Sequence, residues 1–479
     1  MPRVVTFILF TLTGAAHAAG TLEYRIAYSA LSPAVVTVSL QLPQPHLGPV
    51  VLVMPRNYPG GYAQLPYDDF VHQVAGRDAD GKALGVSKDA DAPRWTVGGA
   101  SDRVARIEYQ VDVAHMEEGI HDAVSTSKIR SDYVGLLGYS VFAYLEGFEH
   151  LGAHLHIDAP PRWPVLSTLN PRVPSPVGAA DADAGDFYQL ADSQVLLGPG
   201  LQLAQLPGSI ALVMAIYAEG PVDEALEGRL AREALDAVQR YFGDTPLRHY
   251  TVQLELLKAR EGHSYGFSQE HVDSGTFSLS LESSLTAEST AALRDRVRFN
   301  YAHHMAHSWI PKRAYGVGYR PFTWEMTPVI DTIWFNEGFG RYAAIEAVAA
   351  SLPEAQGTVF RDTQLSNLRA ILDAAPAFIR RMPLEVLSRE ASFLYSEDFR
   401  TGRNVFARGA LMAADMDDRI RTRSHGDKSL RDALRWLLRW SEENQRPFQT
   451  RDLPGYFKSA TGVEVADILE RWQQPQEKP

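Results

Sequence analysis

The chain contains no cysteine among its 479 residues. That absence excludes disulfides, thiolate metal ligands and a lipid attached at a leader cleavage site, so any bound metal must be held by His, Asp or Glu. No apolar run is long enough to span a bilayer. Positive charge is in deficit: 46 Lys and Arg against 58 Asp and Glu leave a formal charge of -12. A surface acidic on balance argues against nucleic acid or an anionic membrane as the main partner. Two families of motif are incomplete as well. Gly138-Tyr139-Ser140-Val141-Phe142 lacks the second glycine of a G-x-S-x-G nucleophile elbow. Gly198-Pro199-Gly200 and Gly316-Val317-Gly318 lack the remaining glycine and the strand-to-helix setting of a dinucleotide site. No internal repeat occurs at solenoid or propeller periods.

What remains is a globular composition, 45% hydrophobic and 22% charged, long enough for two to four domains. The first nineteen residues have the form of a secretory leader. Arg3 supplies the positive end, Val4 to Leu12 the apolar stretch, and Ala16-His17-Ala18 the small-x-small cleavage site. The mature chain is expected to start near Ala19 and to work in a periplasm or outside the cell, with no integral membrane segment after leader removal.

From Leu22 to about Ala204 the pattern is that of strands. Val36, Val38, Leu40 and Leu42 alternate with polar residues, as do Ala105, Ile107, Tyr109, Val111 and Val113. Pro- and Gly-rich turns separate such runs, notably Pro55-Arg56-Asn57-Tyr58-Pro59-Gly60-Gly61-Tyr62 and the stretch from Pro171 to Asp186. Near residue 205 the period changes. A strand from Ile210 to Tyr217 precedes Leu226, Leu230, Ala234, Val238 and Phe242, a helix that Gly243 stops. A second strand follows at Tyr250 to Leu257, and Leu293, Val297, Tyr301, Met305 and Trp309 mark a helix ended by Pro311. Beyond Ile333 nearly everything is expected to be helical.

On that second helix His303 and His307 are four residues apart, so both point the same way and can grip one ion. A pair at this spacing is common by chance and needs a third ligand. Glu337, in Trp334-Phe335-Asn336-Glu337-Gly338-Phe339, supplies a carboxylate from a helical stretch that would return antiparallel to the first. Its aromatic flanks make an unpaired carboxylate expensive there. Two histidines and one glutamate form a known catalytic zinc set that leaves the fourth position for water or substrate.

The run His303-His304-Met305-Ala306-His307-Ser308-Trp309-Ile310-Pro311-Lys312-Arg313, with Glu337 thirty residues after His307, resembles the glycyl aminopeptidase family of gluzincins. That family's pattern is H-E-x-x-H-x-W-N-x-K-R followed by a glutamate at the same separation in a W-x-x-E-G-F context. Gln269-Glu270-His271 is similar to the family's G-G-L-E-H strand, and the resemblance implies that Glu270 receives the free amine of a substrate. Pro55 to Tyr62 and Gly409 to Leu438 also resemble family segments, so the likeness spans most of residues 22 to 470. It implies an α+β multidomain chain: an N-terminal β-sandwich-like domain over 20–205, a thermolysin-like zinc metallopeptidase domain over 206–350 and a C-terminal α-helical domain over 351–479. One zinc ion and the N-termini of peptides or proteins are the implied cofactor and partners. Family members often continue into a PDZ domain, for which there is no room before Pro479.

Two positions depart from the pattern. The glutamate that takes a proton from the attacking water and hands it to the leaving amine is replaced by His304. The tyrosine that donates to the developing oxyanion is replaced by Phe406, in Phe406-Ala407-Arg408-Gly409. His304 therefore has three readings: a substitute base, an extra ligand, or a structural histidine. Tyr265, Tyr315, Tyr319 and His271 are the candidates to replace the lost hydroxyl. Two functions follow: an exported aminopeptidase that uses His304, or a catalytically impaired relative that keeps metal or peptide binding.

Overall fold

Alternation of side chains builds the first layer. In the strand Leu22–Tyr28, Leu22, Tyr24, Ile26 and Tyr28 are buried while the residues between them are not, because successive side chains of a strand face opposite ways. This strand pairs antiparallel with Val35–Leu47 and parallel with Ala153–Asp158. Together with Ala179–Ala184, Arg103–Asp112, Val71–Asp78 and Ala83–Leu84 they make a seven-stranded sheet. Two four-stranded sheets face the same core, one containing Val50–Val53 and Arg94–Val97, the other Val134–Leu137 and Gln194–Leu197. The computed structural model describes residues 20–120, 125–260 and 265–476; the expected leader, residues 1–19, lies outside the described residues.

Val36, Val38, Leu40 and Leu42 all point into that core, as their spacing predicts. In the partner strand the alternation slips: Val104 is buried where Ala105 was expected to be. The pairing register jumps from Gln41↔Arg106 to His46↔Val104 on one side, with three residues more on the first strand than on this one, and from Arg77↔Arg106 to Asp78↔Val104 on the other, where Ala105 is the extra residue that shifts the inward phase.

The second layer is a five-stranded sheet in the order Gln202–Leu206, Ala211–Ala218, His249–Leu257, Ser274–Ser280, Gly266–Glu270. Its three middle strands run parallel, and the helix Glu224–Phe242 is the crossover between the first two of them. Gln202–Leu206, which straddles residue 205, pairs with Ala211–Ala218 in this sheet. Gly266–Glu270 forms its outer edge, antiparallel to Ser274–Ser280. The helix Ala291–Ala306 crosses the same face, and from Gly340 onward long helices, including Glu354–Asp373, Phe399–Arg423 and Leu430–Asn444, share one continuous core with the sheet. The result is an N-terminal multi-sheet β region followed by a mixed layer and a helical C-terminal region. Among the described residues no helix is long and apolar enough to cross a membrane.

Candidate metal centre

The helix Ala291–Ala306 ends five residues before Pro311, the proline that was expected to stop it. Its last turn tightens, His307 N–H bonding to the His304 carbonyl three residues back. His307 is thus the capping residue rather than an interior one. The bend lets its Nδ1–H donate to the Ile310 carbonyl at 2.9 Å, which leaves Nε2 as the free nitrogen. Glu337 arrives on a π-helical turn, Trp334–Phe339, a geometry that is rare and often found at functional sites. The helix Phe399–Arg423 presses against this turn backbone to backbone: a Cβ on Gly409 would lie 1.9 Å from the Trp334 carbonyl oxygen. Only glycine fits there.

The three expected ligands meet. Nε2 of His303 and Nε2 of His307 each lie 3.5 Å from Oε2 of Glu337, and the three ligand atoms all fall within 4.8 Å of one another. All three residues are buried, and His307 Nε2 has no hydrogen-bond partner. Burial raises the cost of ionising Glu337, yet His307 and His303 outweigh it and hold the carboxyl well below the usual range. Burial likewise opposes a charge on His307, but the Glu270 and Glu337 carboxylates lift it to about 9. Burial keeps His303 neutral. A pocket that draws a proton onto one imidazole is a pocket that calls for a cation. Two imidazole nitrogens and one carboxylate oxygen with an orphaned Nε2 fit zinc in donor type and number.

Glu270 is buried at the end of the edge strand Gly266–Glu270, and its Oε1 lacks a partner. Burial pushes its carboxyl up to about 7. The turn from the N-terminal β region lies directly on it. A Cβ on Gly60 would come 2.1 Å from Glu270 Oε1, and Gly60 has φ of 96°, so glycine is required on both counts. Two residues on, Tyr62 donates to Glu337 Oε1 at 2.9 Å. Lys312 Nζ and Gln269 Nε2 both donate to the Pro59 carbonyl, each at 3.3 Å, and Lys312 also lies 3.8 Å from Asp192.

His304 lies at the cleft side of the helix. Its Nδ1–H donates to the Asn300 carbonyl at 2.9 Å, and its ring meets Phe277 edge to face. Burial, reinforced by the neighbouring His307, pushes its imidazole down to about 4, so it is neutral near pH 7. It stands outside the trio of converging ligands. His303, His304, Glu270 and Glu337 line one cavity of about 570 Å³.

The four candidates for the lost hydroxyl do not line that cavity. Tyr265 donates to Glu117, and His271 is held between Asp192 and Thr276. Tyr315 and Tyr319 pack on each other with ring centroids 6.0 Å apart. Instead Tyr395 lines the cleft, stacked on Phe406 with ring centroids 5.5 Å apart. Tyr62 and Tyr395 are the residues that sequence reasoning missed. Tyr62 sat inside the recognised Pro55 to Tyr62 turn, but its partner is 275 positions away.

Comparison with known proteins agrees with this architecture. Residues 23–199 match the Peptidase M61 N-terminal domain. No curated protein matches the chain. Among solved structures, an aminopeptidase N family protein from Idiomarina loihiensis is similar at a TM-score of 0.83 and 18% identity, over 96% of this chain and 76% of that one. A mutant M1 zinc metallopeptidase from Deinococcus radiodurans bound to a Tyr-Ser-Ala substrate is similar at a TM-score of 0.52 and 15% identity, over 96% of this chain and 95% of that one. The chain has a gluzincin aminopeptidase-like fold.

Proposed function

We propose that the chain is an exported zinc metallopeptidase that removes N-terminal residues from peptides, in a periplasm or outside the cell, with His304 in place of the usual general-base glutamate. The observation that carries this reading is the convergence of His303, His307 and Glu337 within 4.8 Å, beside a second buried carboxylate, Glu270, with an unpartnered oxygen. Zinc held by that trio supplies Lewis acidity toward a peptide carbonyl. Glu270 would pair with a substrate ammonium, which would relieve its uncompensated burial. Gly60 and its turn close the cleft behind Glu270, where even a Cβ would be 2.1 Å from Oε1. A chain continuing past the amine would meet that wall, which favours trimming from an end over internal cleavage.

His304 commits Nδ1–H to the Asn300 carbonyl, so Nε2 carries the lone pair. That nitrogen can take a proton from the attacking water and return it to the leaving amine. Tyr62 steadies Glu337 through its hydroxyl. Export rests on the leader pattern of Arg3, Val4 to Leu12 and Ala16-His17-Ala18.

One observation favours a second reading, a relative that binds metal and peptide without turnover. Phe406 lines the cleft at the position where the family resemblance puts an oxyanion donor. Turnover of glycyl and alanyl substrates by zinc-loaded protein decides between them. The peptidase reading expects cleavage by the wild type and a loss on the order of a hundredfold to ten-thousandfold in His304→Ala. A silent wild type together with an active His304→Glu would sink it in favour of the binding protein.

A further inference from the structure

Three arginines, Arg296, Arg341 and Arg403, line the same cavity, and none of them has a carboxylate partner among the described residues. The carboxylates of the cavity lining are Glu270 and Glu337, both at the metal end. In a chain with twelve more acidic than basic side chains (58 against 46), unpaired guanidinium groups gathered in one cleft need an explanation. Elsewhere Arg56, Arg94, Arg130 and Arg361 each hold a carboxylate within 2.8 Å.

Their placement narrows it. Arg341 follows Glu337 by one helical turn, only partly exposed, with its guanidinium over the Phe299 ring at 5.7 Å and its Nε unpartnered. Phe299 in turn stacks on His303. Arg403 lies over Phe399 at 5.9 Å, and Phe399 stacks on Phe267 at 5.1 Å. Phe267 is three residues before Glu270 on the edge strand, and all five residues of that strand line the cavity. Three residues of extended chain cover about 10 Å. A peptide whose amine meets Glu270 and which runs along this edge would bring its third residue to the arginines.

We infer that the cleft selects short peptides carrying a carboxylate at the third residue, either an acidic side chain or the terminal carboxyl, with Arg341 and Arg403 as its receptors and Arg296 adding charge at the rim. The inference rests on the peptide reading of the cleft given above. A planar guanidinium pairs with a carboxylate through two parallel hydrogen bonds, so the preference should be for carboxylate over its neutral isostere and not merely for bulk. Because Arg296 and Arg403 are exposed, the preference should weaken as salt rises.

The test is calorimetric binding to the full, zinc-loaded chain of four tripeptides whose first peptide bond is replaced by a ketomethylene isostere, so that nothing is cleaved. Two are Ala-Ala-Ala with a free carboxyl and its C-terminal amide; two are Ala-Ala-Asp amide and Ala-Ala-Asn amide. The expected result is about tenfold or tighter binding of at least one acid over its neutral partner, with the pair that discriminates telling terminal from side-chain carboxylate. Arg341→Gln and Arg403→Gln should each shrink that ratio, and Arg341→Lys should keep part of it. Should Arg341→Gln fail to fold, Arg341→Lys and the exposed Arg403→Gln carry the comparison. Equal affinity for acid and neutral peptides, or a ratio unchanged in the variants, overturns the carboxylate inference alone. No binding of any of the four overturns the peptide reading of the cleft, and this inference with it.

Discussion

Two of the buried charge clusters among the described residues are built on opposite plans. In one, Arg130 donates to both oxygens of Glu117 at 2.7 and 2.9 Å and to Glu219 at 2.7 Å, while Tyr265 donates to Glu117. Neither Glu117 nor Arg130 leaves a buried polar atom without a partner. In the other, Glu270, Glu337, His303 and His307 crowd together with Glu270 Oε1, His303 Nδ1 and His307 Nε2 all unpartnered. Each buried unsatisfied polar group costs about 1–3 kcal/mol, and here three of them meet in one cluster. The paired cluster ties the β region to the mixed layer. The unpaired one offers a metal or a substrate the partners that the fold does not supply.

Breaking the paired cluster should have the largest effect on the fold. Glu117→Gln is expected to lower stability by about 3 kcal/mol in denaturant titration, since it strands part of a buried guanidinium, while leaving zinc stoichiometry intact. The same cluster sets an acid sensitivity. Burial raises the cost of ionising Glu117, but Arg130 and Lys128 hold its carboxyl down to about 2, against 4.5 for the free group. A depressed carboxyl contributes stability that is fully present above about 4.5 and is lost as pH falls toward 2. Stability in that window should therefore fall more steeply in the wild type than in Glu117→Gln; parallel curves would count against the pairing.

A smaller effect is expected at the seam between the two plans. Tyr62→Phe removes the hydroxyl that orients Glu337 and should weaken zinc binding about tenfold to a hundredfold, measured by competition with a chromogenic chelator, with little change in unfolding. The smallest effect belongs to the unpaired arginines. Arg403→Gln should alter stability by no more than about 0.5 kcal/mol; a loss like that of Glu117→Gln would place Arg403 among the paired charges of the fold.

The convergence of His303, His307 and Glu337 was legible in the sequence: His303 and His307 share a face of one helix, and Glu337 follows in a stretch whose aromatics make an idle carboxylate expensive. The helix Glu224–Phe242 and the strand His249–Leu257 were equally plain, since their periodicity is set by burial on one face. Val104 was not, because a bulge depends on what the neighbouring strand does. Nor was Tyr62, whose role exists only once the Pro55 to Tyr62 turn folds onto residues from the far end of the chain. The same limit hid Tyr395, which shares the cleft with Phe406 only through the packing of two helices.

His303, His307 and Glu337 are expected to form a completed site only with a metal. The most direct measurement is the zinc content of the purified chain, compared with His303→Ala and Glu337→Ala, each confirmed folded by circular dichroism. One zinc per wild-type chain and almost none in either variant is the expected result. Equal zinc content in all three would contradict it.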